Sequence, residues 1–235
     1  VSNVLASVQQ RGREALQRLG LPTRKQEAWR LTDLKRLGAV HDLPLIGADA
    51  RTDLPEPPQG GLRLLLGDDE QHPLEGVTLP SGIKALHRDE IESLLGRATD
   101  HCGCSEDWTV ELNKSSSRHI LALQISGKVP PLELVIDARG SGLMATRVLL
   151  ILDENAELEL LEVFRAESGV AHSHLCEVLL AEESHLQHGL LSIGDGSSSI
   201  LTTLAIQQEP RSHYALSSFV QGSIFARIEP KIVQL

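Results

Sequence analysis

Aromatic side chains are scarce in this 235-residue chain: three Phe, two Trp and one Tyr make up 3% of it. Leu, Ile, Val and Ala must therefore fill the interior, which suits the narrow bore of a solenoid. The three cysteines, Cys102, Cys104 and Cys176, are too few and too odd in number for a disulfide framework, so a reducing compartment is the simpler reading. No apolar run approaches the ~20 residues of a membrane span, and the N-terminus carries no signal-peptide pattern. A formal charge of −10 without a basic stripe excludes nucleic acid and anionic lipid as main partners. These absences describe a soluble protein of the cytoplasm, with the plastid stroma as the alternative compartment. They leave small molecules or proteins as partners. A G-x-S-x-G elbow, an H-E-x-x-H helix, a Walker P-loop and the hexapeptide repeat of β-helix acyltransferases are all missing.

What the chain does contain is a rhythm. Short apolar segments begin near Trp108, Ile120, Leu132, Arg147, Leu158, Leu175, Leu186, Ile200 and Tyr214, about a dozen residues apart, as strands of a β architecture would. Set against itself at an offset of 28, the sequence places Leu152 on Leu180, Glu154 on Glu182, Leu158 on Leu186, His185 on His213 and Gly194 on Gly222. Such self-similarity predicts a solenoid whose coils hold two or three strands each. Asp153-Glu154-Asn155 and Ala181-Glu182-Glu183-Ser184 fall at matching phases and are expected at coil corners. The chain stops inside an apolar run, Ile228 to Leu235, without a polar cap, so a fragment of a longer solenoid is expected.

The segment before residue 107 has a different character. Val4 to Leu19 shows helical spacing and ends at Gly20, a C-cap residue. A second helical stretch with a turn is expected from Arg24 to Leu37, stopped by Gly38. Pro and Gly collect between Leu43 and Gly61, which reads as a linker. Leu62 to Leu66 predicts a short strand, and His87 to Leu95 a helix with Asp89 and Glu90 in its first turn. The expected organisation is a small helical and mixed domain over 1–106, with the linker near 43–61, then a mainly β core over 107–235 whose C-terminal part is missing.

Three groups of side chains invite chemistry. His101, Cys102 and Cys104 have the residue types of a zinc or iron–sulfur site, but Cys-x-Cys lacks the C-x2-C spacing and the further ligands such a site needs. His172 and His174 share a face of one strand, and His185 and His213 would stack on adjacent rungs, ~4.8 Å apart, either as a His-ladder metal module or as a solvated corner. Glu157, Glu159 and Glu162 could do acid and base work in a carbohydrate-cleaving β-helix, although their alternation with Leu158 and Leu160 reads as a solvated outer face. Gly194 to Ser199 is Gly-rich but lacks the Lys of a phosphate cradle and is expected to be a flexible loop. Cys176, inside the β half, is expected to be a small buried hydrophobe. No residue is assigned a catalytic or metal-binding role.

The segment Pro22-Thr23-Arg24-Lys25-Gln26-Glu27-Ala28-Trp29-Arg30-Leu31-Thr32-Asp33-Leu34 resembles the N-terminal signature of the SufB/SufD family, on its SufD side. Pro131 to Leu134 and Val148 to Leu158 look like the strand entering that family's core, and Ser217 to Gly222 with Arg227 is similar to its late-rung pattern. The resemblance implies an N-terminal helical domain, a right-handed parallel β-helix and a non-catalytic scaffold role in iron–sulfur cluster assembly. It implies a SufB-like partner and a SufC-like ATPase, to which nucleotide hydrolysis belongs. It also implies that a cluster is held transiently in the complex and none tightly by this chain alone. An uncovered last rung would let the chain self-associate through its β-helix edge.

Overall fold

The computed structural model describes residues 2–47, 56–57, 60–67, 72–138 and 140–235. The first helix, α1 (Ser2–Leu19), buries Val4, Leu5, Val8 and Ala15 along one side. It closes where the Gly20 N–H donates to Leu16 O at 2.9 Å with Gly20 at φ 63°. The second helical stretch divides into a single 3-10 turn (Glu27–Trp29) and α2 (Leu34–His41). Asp33 makes the division, because its carboxylate caps α2 by accepting the Arg36 N–H at 3.2 Å. Gly38 lies inside α2 and does not end it.

The expected strand and helix follow as β1 (Leu62–Leu65) and α3 (Arg88–Leu94), the latter with Glu90 accepting the His87 N–H at 2.7 Å. Between and after them come β2 (Ile83–Ala85), α4 (Arg97–His101) and α5 (Trp108–Ser116). The apolar segment at Trp108 is thus a helix, not the first strand of the β core. Most of the expected linker lies outside the described residues, but its start is pinned, since Ile46 N–H donates to Leu143 O at 3.0 Å.

From Ile120 onward the chain winds into a β-solenoid of about 4 turns. Its strands are β3 (Ile120–Ile125), β4 (Leu132–Ala138), β5 (Gly142–Leu152), β6 (Glu157–Ala166), β7 (Val170–Leu180), β8 (His185–Gln208) and β9 (His213–Gln234). Two parallel ladders run along it. One stacks β1, β4, β6 and the first halves of β8 and β9, and the other stacks β3, β5, β7 and their second halves, with β2 antiparallel to β3. The 28-residue offset is the coil length: Leu132 lies beside Leu160, Leu160 beside His188, and His188 beside Leu216. Corners fall where the sequence places them. Gly127, Asn155, Glu183 and Arg211 have φ of 68°, 59°, 57° and 59°, so a left-handed residue turns the chain at this corner of each coil. Gly194 to Ser199 is not a separate loop, because β8 runs through it and bends at Gly196.

Between the ladders lies a bore packed with Leu123, Leu134, Leu150, Leu158, Phe164, Val178, Leu186 and Leu204. The second ladder is covered outside as well. Trp108 and Leu112 of α5, with Trp29, Leu37 and Val40, pack on Leu143, Ala171 and Leu201. This explains why β7 is buried along its whole length on both faces. The helices approach closely: a Cβ on Gly12 of α1 would stand 2.6 Å from Ser115 N of α5.

Candidate functional site

Strand periodicity puts one acidic residue where an apolar one would be expected. On β6, Leu158, Leu160, Glu162 and Phe164 all point into the bore, while Glu157 and Glu159 face water. Glu162 is therefore not part of a solvated face: it is 0% exposed. Its phase with the flanking leucines was visible in the sequence. On β7 the inward positions are Val170, His172, His174, Cys176 and Val178, so both histidines share a face as expected, and that face is the interior.

Across the bore these residues meet. Glu162 Oε1 lies 3.0 Å from His174 Nε2, and Oε2 lies 3.0 Å from His188 Nε2 of the next coil. The far ring nitrogens are held too, His174 Nδ1 by the Thr146 hydroxyl at 2.7 Å and His188 Nδ1 by the Tyr214 hydroxyl at 3.0 Å. Thr146 is fixed in turn, because Asn113 Nδ2 on α5 donates to its carbonyl at 2.9 Å. Phe164 closes one side, with its ring edge-on to His174 at 4.9 Å and to His172 at 5.6 Å. Burial pushes the Glu162 carboxyl up, but the two imidazoles outweigh it and hold the group well below the usual carboxylate range. Burial and the Glu162 charge raise the Cys176 thiol far above its ordinary value. Burial also lowers His172 to about 4, leaving a neutral ring whose Nε2 contacts Arg165 O at 3.1 Å.

Among the described residues, the group of three or more His, Cys, Asp and Glu ligand atoms that lie within 4.8 Å of one another is Glu162, His174 and Cys176. Cys176 is thus a buried thiol, as expected of a small hydrophobe, but its neighbours are polar. The His101-Cys102-Cys104 segment does not converge. His101 Nδ1 meets Gln207 Oε1 at 2.7 Å, Cys102 Sγ donates to Lys231 O at 3.2 Å, and Cys104 is sunk against Leu179 and Ala205, where burial raises its thiol to about 12. His185 and His213 do stack, with ring centroids 5.8 Å apart, on an exposed edge that continues through Glu157 to Lys128.

One contact ties the first segment to the solenoid. Trp29 stands edge-on to Trp108 at 6.1 Å, and the Arg227 guanidinium of β9 lies 3.9 Å from the Trp29 ring centre while Nη1 donates to Thr32 at 3.1 Å. Two sequence segments some 195 residues apart therefore form one joint.

The fold is that of a parallel β-solenoid built on two ladders. Residues 134–235, from inside β4 to the last residue of the chain, match the family described as SUF system FeS cluster assembly, SufBD core domain. The match spans less than half of the chain and supports membership of the SufB/SufD family and a role in iron–sulfur cluster assembly. No curated protein matches the chain.

Proposed function

We propose that the chain is a SufD-like, non-catalytic scaffold subunit that binds a SufB-like partner and works with a SufC-like ATPase. The observation that carries this reading is the joint between Trp29, Thr32 and Arg227: the signature segment outside the matched core is locked onto the core by residues of the late-rung pattern. A platform held together in this way can present a rigid surface. Parallel rungs supply the means of contact, since a partner's strand can continue a ladder through main-chain hydrogen bonds. The same chemistry would let two copies self-associate. An iron–sulfur cluster is cargo in this reading, passed through the complex. In this reading nucleotide hydrolysis belongs to the SufC-like subunit.

Co-expression with SufB-like and SufC-like proteins, followed by affinity capture and light scattering, tests the proposal. The expected result is stoichiometric capture of the SufB-like protein, weakened by Arg227→Ala. A folded chain that captures neither protein overturns it.

A further inference from the structure

The bore cluster has the composition and arrangement of a metal centre. One ligand atom each of Glu162, His174 and Cys176, from two strands on opposite sides of the bore, converge within 4.8 Å of one another. His188 Nε2 stands outside that group, 3.0 Å from the second carboxylate oxygen, and is the donor from the next coil that a bound cation would draw in. One carboxylate, two imidazoles and one thiolate form the mixed N/O/S set that borderline divalent cations prefer. We propose that Glu162, His174, Cys176 and His188 form a buried site for a borderline divalent cation of the Zn²⁺ or Fe²⁺ type, which pins adjacent coils together from inside.

The groups behind the ligands support this assignment. A metal-bound imidazole needs a partner on its other nitrogen to fix its tautomer and orientation. Thr146 Oγ1 stands at His174 Nδ1 and Tyr214 Oη at His188 Nδ1, and each hydroxyl can accept as well as donate. On binding, each ring proton moves from Nε2 to Nδ1 and is accepted by its hydroxyl. The Cys176 S–H bond breaks and its proton leaves to solvent, as a coordinated thiol requires. The cation's two charges are then balanced by one carboxylate and one thiolate, so no net charge stays in the bore. Full enclosure means the site is loaded as the coils close. The inference stands independently of the scaffold reading, because it concerns the interior of one chain.

The test is refolding with a spectroscopic probe. The chain is unfolded with chelator and reductant, then refolded with Co²⁺ and freed of loose metal by gel filtration. Elemental analysis should then find one cobalt per chain, with tetrahedral d–d bands and a thiolate-to-cobalt charge-transfer band. Cys176→Ser should abolish the charge-transfer band, and Tyr214→Phe should weaken binding about 10-fold. The double variants Cys102→Ser with Cys104→Ser, and His185→Ala with His213→Ala, should change neither band. A wild-type chain with native circular dichroism that retains no cobalt overturns the proposal. So does a charge-transfer band that survives Cys176→Ser.

Discussion

Cys176 and Glu177 are neighbours on β7, yet they belong to two different buried charge clusters, one on each face of the strand. Inside the bore, Glu162 is shared by two histidines. Outside, beneath the helices, Glu177 pairs with Arg147 at 2.7 Å, with the two side chains 0% and 2% exposed, and also accepts the Gly96 N–H at 2.9 Å. The two carboxylates are equally dry, but their partners differ in kind. An imidazole has a neutral form and can exchange which nitrogen carries its proton, whereas a guanidinium remains charged whatever happens around it. The inner cluster can therefore re-pair after an insult. The outer one cannot, and it is also the point where the α4 segment is fastened to the solenoid.

Substitutions sharpen that contrast. Glu177→Gln should cost about 3–5 kcal/mol in urea unfolding, because it strands the Arg147 charge in a dry interface. Hydrogen exchange should show the loss concentrated around α4 and β7. Replacing both partners, Arg147→Met with Glu177→Leu, should return stability to within about 1 kcal/mol of the parent, since the isolated charge is gone. If the double variant is as weak as the single one, the Gly96 contact rather than the ion pair carries the effect. Glu162→Gln, measured in chelator, should cost only about 1–2 kcal/mol, because an imidazole that turns its proton toward Thr146 or Tyr214 can accept from the new amide. A loss equal to that of Glu177→Gln would erase the distinction. The smallest change expected is a gain of about 0.5 kcal/mol for Glu183→Gly, which relieves a left-handed backbone at the cost of chain entropy and an exposed ion pair with Arg211.

The solenoid was legible in the sequence because its coil length is nearly constant and its corners repeat. Glu154 on Glu182 and Leu158 on Leu186 sufficed to give the period, and the acidic corner segments marked where the chain turns. Trp108 was misleading for a simple reason: an apolar run of that length suits a buried strand and a buried helix equally, and the helix forms here because its buried face packs on the outer side of β5 and β7. Glu162 shares its phase with Leu158 and Leu160 and not with Glu157 and Glu159, and that phase is legible along the strand. Its meeting with His174 and Cys176 was not legible, since it depends on which rung faces which across the bore, and periodicity along one strand does not report that. The role of Trp29 and Arg227 was half-legible: both lay in segments singled out for resemblance, but their contact is made only by folding.

The pairing of β8 with β9 changes by two residues at the Gly-containing bend. Before it, His185 lies beside His213, and after it Ile200 lies beside Ala226. Removing two residues leaves every later side chain on the same face it would otherwise have occupied, whereas removing one would exchange bore for surface throughout the remainder of the coil. This bend is thus a place where a coil has changed length without exchanging its faces, and a loop grafted there would lengthen one coil while leaving the sequence of its strands untouched.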